Sequence, residues 1–232
     1  MDHYGQFDEQ LRKAAEAFRK IDKKEIIRLI SHLDADGISA ASIMIKLLNN
    51  DNRKYSVSIV QQLNRALLNQ LAGEPYNCFI FTDIGSGVVS DIKELLKGKS
   101  VFVLDHHSIE AADDFGSTVL VNPHLCGIDG GKEISGAGVV FRFACAVDKS
   151  MEELAHIAVV GAIGDLQEQN GFLRLNEEIL KTAVDKGKIK VIKGLRIFGS
   201  QTKPLHKALE YCTDPYIPGV SGSESGAIQF LY

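Results

Sequence analysis

The sequence predicts an α/β fold in which helices flank a mostly parallel sheet, followed by a smaller helical segment. Short apolar segments with strand character alternate with segments of helical periodicity from residue 26 to residue 104. This alternation is typical of βαβ units, whose right-handed crossovers place the carboxyl ends of all strands at one edge of the sheet. Beyond Val121 the alternation ends and helical patterns follow.

The individual elements follow from the spacing of the apolar residues. Residues 7–21 carry apolar side chains at helical spacing and predict a leading amphipathic helix. Ser135 lies where an N-cap is expected for an apolar helix, and Ser150 with Glu153 resembles a capping box for a helix over 151–163. The predicted strands cover 26–30, 55–60, 77–81 and 101–104, and the helices between them cover 38–48, 63–71 and 88–96.

Composition and charge limit the classes of function. The 232 residues are 45% hydrophobic and 24% charged, which is ordinary for a globular protein. The net charge of −4 argues against a generic polyanion binder, but residues 181–207 hold eight basic side chains against one acidic one. This local charge of +7 indicates either a solvated face or a contact for a nucleic-acid backbone.

Four clusters of acidic residues or histidines follow apolar segments. Carboxylates and imidazoles are seldom buried unless they are paired or bind a metal. Because three of the clusters follow predicted strands, and parallel sheets bind ligands at the carboxyl ends of their strands, we expect one shared site. The clusters are His32, Asp34 and Asp36; Asp83; Asp105, His106 and His107; and Asp165.

The side chains of these clusters predict metal chemistry. Five carboxylates and three imidazoles are enough for two divalent ions that share a bridging carboxylate. Such ions lie about 3.5–4 Å apart and activate a water for in-line attack on phosphorus. Mixed imidazole and carboxylate ligation favours Mn²⁺, with Mg²⁺ as the alternative.

The clusters resemble, in order, the four motifs of the DHH phosphoesterase superfamily, which is named after its Asp-His-His triplet. The motifs are His32-x-Asp34-x-Asp36-Gly37, Asp83, Asp105-His106-His107 and Gly164-Asp165. Segments 135–138 and 161–165 resemble the RecJ-type nuclease branch, and the form of residues 31–37 resembles archaeal RecJ-like nucleases, including the GINS-associated nucleases. One residue separates His32 from Asp34, fewer than in the family II pyrophosphatases of this superfamily.

The resemblance implies a role for each of these residues. Asp105 would orient an imidazole, and His107 would donate to the scissile phosphate. Ser135 either caps its helix or, with Gly136, binds phosphate at the start of that helix, and His124 either has a structural role or reaches the substrate from its loop. The implied ligands are His32, Asp34 and Asp83 for one ion, and Asp36, Asp83, His106 and Asp165 for the other, with Asp83 bridging.

The reaction implied by the resemblance is hydrolysis of phosphodiester bonds at the ends of single-stranded DNA or RNA, with two Mn²⁺ or Mg²⁺ ions. The +7 stretch favours such long substrates over the alternative of short oligonucleotides or cyclic dinucleotides. An alternative of another class is a replication scaffold that binds the GINS complex. The intact set of ligands argues against a pure scaffold, although a GINS partner is compatible with activity.

The resemblance also divides the chain. We expect a leading helix at 1–24, a DHH phosphoesterase domain at 25–200, and a linker or extension at 201–232 toward an absent C-terminal DHHA1 domain. Four widely spaced cysteines favour reduced thiols. Neither a signal-peptide pattern nor an apolar run of the roughly 18–20 residues that span a membrane is seen, so we expect a cytoplasmic location without a membrane partner.

Overall fold

The computed structural model of this chain describes residues 2–109, 116–169, 171–192, 197–200 and 202–232. The chain divides into two compact units, with the boundary between Lys190 and Val191. The strands are β1 (Ile27–His32), β2 (Tyr55–Val60), β3 (Cys78–Thr82), β4 (Ser100–Leu104) and β5 (Thr118–Val121). The α-helices are α1 (His3–Arg19), α2 (Ala35–Asn50), α3 (Arg65–Ala72), α4 (Val89–Leu95), α5 (Gly136–Val147), α6 (Ala155–Gly164), α7 (Arg174–Asp185), α8 (Leu205–Glu210) and α9 (Glu224–Leu231).

The first unit is built on a parallel sheet of five described strands in the order β2-β1-β3-β4-β5. The predicted α/β class with a mostly parallel sheet and a helical remainder is therefore confirmed. The register pairs Ser31 with Thr82, Thr82 with Leu104, and Leu104 with Val121. The residues that directly follow these four positions therefore lie side by side along the carboxyl edge of the sheet.

Helices cover both faces of the sheet because its central strands are apolar on both sides. In β1, Ile27 and Leu29 belong to the core shared with α1, α2 and α5, whereas Ile30 belongs to the core shared with α3 and α4. Near-continuous burial along β1 and β3 is what a central parallel strand requires. A rigid, double-sided core of this kind fixes the strand ends that carry the site.

Several predicted helix starts differ from the structure, and α1 begins at His3 rather than at residue 7 because Asp2 caps it. Helix α2 begins at Ala35 because the Asp34 carboxylate caps it. The capping box predicted for Ser150 and Glu153 is wrong, because Asp148 accepts from the Ser150 backbone N–H and starts a 3₁₀ helix (Lys149–Leu154) there. The capping box predicted that the Ser150 N–H would donate to the Glu153 side chain. In the structure this N–H donates to Asp148 instead.

The second unit contains α8 and α9, with a small core of its own. Its buried side chains include Leu209, Cys212, Val220 and Ala227. Ser223 caps α9 by accepting from the Gly226 backbone N–H. Across the part of the chain that the structure describes, none of the helices is long and apolar enough to cross a membrane.

Candidate metal centre

The acidic and histidine clusters converge where the order of the sheet reverses. The chain passes from β1 to β2 on one side and returns to β3 on the other, and the carboxyl ends at such a switch point form a crevice for ligands. His32 ends β1, Asp83 follows β3, and Asp105 follows β4. The register of the sheet thus brings three residues that are far apart in sequence into one row.

The N-terminus of α2 delivers two further carboxylates to this row. Asp34 Oδ1 accepts from the Gly37 backbone N–H at 2.9 Å and caps the helix, while its Oδ2 lies 2.9 Å from His32 Nδ1. Asp36 lies in the first helical turn and is buried. The capping function of Asp34 therefore leaves one of its oxygens available to the site.

Asp36 is held by the N-terminus of a second helix. Its Oδ2 accepts from the Gly136 N–H at 2.6 Å and its Oδ1 from the Ala137 N–H at 3.0 Å, at the start of α5. Free N–H groups and the helix dipole make such a position favourable for an anion. Burial nevertheless raises the pKa of Asp36, although His106 and the Ala137 N–H act to lower it.

Asp83 lies at the centre of the cluster without a hydrogen-bond partner. Its side chain is 1% exposed, and neither carboxylate oxygen accepts a hydrogen bond from the described residues. Its φ of +57° is an uncommon conformation for a residue other than glycine, which is often seen at functional sites. Burial raises the pKa of Asp83 to about 8, against the opposing pull of His106.

The two oxygens of Asp83 face different groups. Oδ2 lies 3.7 Å from His32 Nδ1, and Oδ1 lies 3.3 Å from His106 Nε2. His106 Nε2 is itself buried without a hydrogen-bond partner among the described residues, and His32 Nδ1 is buried beside Asp34 Oδ2 without the geometry of a hydrogen bond to it. Burial alone would lower the pKa of His106, but the facing carboxylates, Asp83 foremost, raise it to about 10. Unpartnered buried atoms of this kind are costly unless a cation is bound among them.

His106 and Asp165 are connected through a network of residues that lie outside the sequence motifs. His106 Nδ1 lies 2.7 Å from the Gly130 carbonyl oxygen. Gln167 Nε2 donates to that same oxygen at 3.0 Å and to Asp165 Oδ2 at 2.7 Å. Asn176 Nδ2 donates to Gln167 Oε1 at 2.6 Å. The position of Gln167 two residues after Asp165 was the one signal in the sequence that could have indicated this role.

A second network orients His107. Asp105 Oδ1 lies 2.8 Å from His107 Nδ1, and Asp105 Oδ2 accepts from the Ser86 N–H at 2.9 Å. Asn122 donates to Ser86 Oγ and to the His107 carbonyl oxygen. Burial opposes ionisation of Asp105, but His107 and the backbone donors hold its pKa well below the usual range. Asp105 in turn raises the pKa of His107, whose side chain is half exposed.

The donor atoms fit divalent ions. Each group of residues in which one donor atom per residue lies within 4.8 Å of the others could hold a metal ion. Carboxylate and imidazole donors suit Mn²⁺ and related divalent ions. Within the described residues the groups are His32, Asp34 and Asp83; Asp36, His106 and Asp165; and Asp83, Asp105, His106 and His107.

The residues expected to contact substrate lie at different depths. Ser135 is fully buried, caps α5 and helps to lower the pKa of Asp36. A Cβ atom on Gly136 would lie 2.2 Å from Asp83 Oδ1, so this glycine gives the carboxylate its space. Both residues therefore support the carboxylates of Asp36 and Asp83, whereas His124 is exposed and its Nε2 lies close to Gly130.

The basic stretch at 181–207 does not form a uniform cationic face. Lys186 pairs with Glu152, Lys188 with Glu153, and Lys207 with Glu210 and Glu224. Lys193 and Arg196 lie outside the described residues. Because carboxylates offset several of these cations, the +7 charge counted from the sequence overstates the attraction for a polyanion.

Most of the segment that carries the candidate ligands matches a family model. The model described as the DHH family, N-terminal domain, matches residues 26–164, which is more than half of the chain. The chain belongs to the DHH family. The match contains the first three clusters and ends one residue before Asp165. A second model, the DHH-CID domain, matches residues 197–232, a range that contains the extension predicted for 201–232.

Relatives with curated sequences extend the comparison. The chain is 35% identical over 211 residues to uncharacterized protein MJ0831 of Methanocaldococcus jannaschii, covering 88% of this chain and 47% of that protein. It is 26% identical over 177 residues to the single-stranded-DNA-specific exonuclease RecJ of Bacillus subtilis, covering 71% of this chain and 22% of RecJ. The chain spans half the length or less of these relatives.

Solved structures share the fold. Exonuclease RecJ bound to manganese superposes with a TM-score of 0.62 at 24% identity, over 75% of this chain and 47% of that one. CDC45 from Entamoeba histolytica superposes with a TM-score of 0.60 at 15% identity, over 91% and 46% of the respective chains. The resemblance to the RecJ-like branch of the DHH family is thereby confirmed at the level of sequence and fold.

Proposed function

We propose that this DHH family member hydrolyses phosphodiester bonds at the ends of single-stranded DNA or RNA with the aid of two divalent ions, Mn²⁺ or Mg²⁺. The observation that carries the proposal is Asp83, a buried carboxylate whose two unpartnered oxygens face different groups of donor atoms. One shared carboxylate between two sets of ligands is the arrangement of two-metal phosphoesterases. The sequence relationship to a single-stranded-DNA-specific exonuclease supports the choice of substrate.

In this proposal the ligands are those implied by the family motifs. Two bound ions would polarise the phosphoryl oxygens and lower the pKa of an attacking water. The first ion would be held by His32, Asp34 and Asp83, whose donor atoms form one group. The second would be held by Asp36, His106 and Asp165, with Asp83 Oδ1, which lies 3.3 Å from His106 Nε2, as the bridging ligand that the family motifs imply.

The residues around the proposed ligands have different functions in this proposal. Asp105 fixes the His107 ring through Nδ1, which leaves Nε2 for the substrate. Because the pKa of His107 is raised, its protonated form is favoured and Nε2 can donate to a phosphate oxygen. Ser135 and Gly136 position Asp36 and Asp83, and His124 remains a candidate for contact with the substrate from its exposed loop.

Release of nucleotides from end-labelled strands tests the proposal. Single-stranded DNA and RNA labelled at the 5′ or the 3′ end are incubated with the protein in Mn²⁺, Mg²⁺ or EDTA. Stepwise, metal-dependent release from one end supports the proposal and gives polarity and sugar preference. The absence of release from every strand, with Mn²⁺ binding shown by calorimetry, would favour the alternative of an oligonucleotide or cyclic-dinucleotide phosphodiesterase.

A replication scaffold is the second candidate, and the structural similarity to CDC45 favours it. A GINS partner belongs to this candidate and is compatible with hydrolysis. Co-purification with GINS together with failure to bind Mn²⁺ would favour the scaffold alone. The unpartnered oxygens of Asp83 argue against that outcome, because a scaffold gains nothing from an uncompensated buried carboxylate.

A further inference from the structure

A cavity opens directly beside the metal centre on the side of β2. Its volume is about 350 Å³, and His32, Asp83 and His107 form one wall. The loop after β2 and the loop after β3 supply most of the remaining lining. This volume lies near the lower end of the roughly 300–1,000 Å³ range of small-molecule sites, which suits one nucleotide rather than a longer segment.

The lining of the cavity away from the metal centre is uncharged. Among the described residues that line it there is no lysine or arginine. Leu63, Ile84 and Val88 supply apolar surface, and Gln61 and Gln62 supply amides. A chain of phosphates would need cations along its path, whereas a base and a sugar need apolar contact and hydrogen bonds. The cavity therefore suits the nucleoside part of a substrate.

Gln61 and Gln62 are placed to recognise such a group. They follow Val60, which pairs with His32 in the register of β1 and β2, so they lie just beyond the level of that imidazole. Both side chains are exposed, and no hydrogen-bond partner for either amide is found in the described part of the chain. Each amide offers both donors and an acceptor and can pair with the edge of any base.

Gly87 leaves the cavity open. A Cβ atom placed on it would have no atom within 4 Å, and its φ lies outside the left-handed region. Neither packing nor backbone geometry requires a glycine at this position. The effect of the missing side chain is therefore on the space that is available to a ligand.

We infer that this cavity binds the nucleoside of the terminal nucleotide, with Gln61 and Gln62 contacting the base and Gly87 admitting it, while the phosphate lies at the metal centre. The inference rests on the proposed function and names the part of the substrate that the cavity recognises. It favours nucleotide substrates over polyphosphate chains. It also predicts tolerance of base identity, because an amide can rotate to exchange its donor for its acceptor.

Binding of small probes tests this inference without relying on turnover. Thymidine 5′-monophosphate, 2-deoxyribose 5-phosphate and inorganic phosphate are titrated into the full chain in Mn²⁺, with the affinities measured by calorimetry. The wild type is expected to prefer thymidine 5′-monophosphate over each of the other probes by about tenfold, because the base buries apolar surface against the aliphatic lining of the cavity. Gly87→Leu should remove that preference.

Two further variants complete the design. Gly73→Leu is the matched control, because Gly73 is exposed, has no positive φ and lies outside the cavity. The double variant Gln61→Ala/Gln62→Ala should lose the preference for thymidine 5′-monophosphate over 2-deoxyribose 5-phosphate, which keeps the inference testable if Gly87→Leu does not fold.

The results for nucleoside binding and for Mn²⁺ binding bear on different claims. Equal affinities of the wild type for all three probes would overturn the inference, as would an unchanged preference in Gly87→Leu. Failure to bind Mn²⁺ at all would overturn the proposed function and with it the inference. A nucleoside preference without nuclease activity on any strand would support the cavity assignment and contradict the exonuclease.

Discussion

Replacement of Gln167 by methionine is the sharpest test of how the metal centre is held. Gln167 is 7% exposed and donates both to the Asp165 carboxylate and to the carbonyl oxygen that His106 contacts. It thereby links two proposed ligands of the same ion. Methionine has a similar length and volume, so Gln167→Met removes the hydrogen bonds without leaving a large cavity.

The size of the effect follows from these contacts. Loss of a hydrogen-bond partner of a metal ligand typically costs about 10–100-fold in metal affinity, or about 1.4–2.7 kcal/mol. The variant also leaves Asn176 Nδ2 without its partner at a buried position. Such a group costs about 1–3 kcal/mol in the free energy of unfolding, which for a chain of this size lowers the Tm by roughly 2–12 °C.

Calorimetric titration with Mn²⁺ and thermal unfolding measure the two effects separately. The matched control is Gln169→Met, because Gln169 is a nearby exposed glutamine. We expect the control to match the wild type in both measurements. A folded Gln167→Met variant that binds Mn²⁺ within about twofold of the wild type would refute the reasoning, because outer partners would then contribute nothing to affinity.

Three further predictions concern the ligands themselves. Asp83→Asn should abolish metal-dependent hydrolysis with the fold retained, and circular dichroism beside the nuclease assay checks this; retained activity would exclude Asp83 as a bridge. Gly136→Ala should displace Asp83, since its Cβ would lie 2.2 Å from Oδ1, and should weaken Mn²⁺ binding by about tenfold or more in calorimetry. In the metal-free protein the pKa of Asp83 is raised to about 8 and that of His106 to about 10. Both groups must release protons to bind a metal, so Mn²⁺ affinity should rise between about pH 6 and 9. Over the same range the metal-free Tm should fall, because the folded state binds more protons than the unfolded state; a flat pH profile would contradict both raised pKa values.

The parallel sheet could be predicted because its strands are short and apolar on both faces. The segment Cys78–Thr82 is buried along its whole length and contains no polar side chain before Thr82. The bounds of β5 (Thr118–Val121) were not predicted, because four residues, of which only Leu120 and Val121 are buried, are too few to show a period. The start of α2 was placed too late, since the capping role of Asp34 depends on where its side chain turns.

The candidate ligands could be predicted for a different reason. Carboxylates and imidazoles directly after apolar strands must lie at the carboxyl edge, whatever the details of packing. The residues that support them could not be found in this way. Apart from the bond between Gln167 and its near neighbour Asp165, they act through partners that are distant in sequence. The bonds from Asn122 to Ser86 and His107 and from Gln167 to Gly130 join residues that are 15 to 37 positions apart.

The sequence by itself determined the class of fold, the set of candidate metal ligands and the resemblance to the DHH family. Local patterns of apolar and ionisable residues carry that information, because they record which segments are buried and where buried segments end. Only the tertiary structure decided that Asp83 faces two groups at once, that the start of α5 holds Asp36, and that an uncharged cavity lies beside them. These features depend on the register between strands and on the approach of helices from distant parts of the chain, which no local pattern specifies.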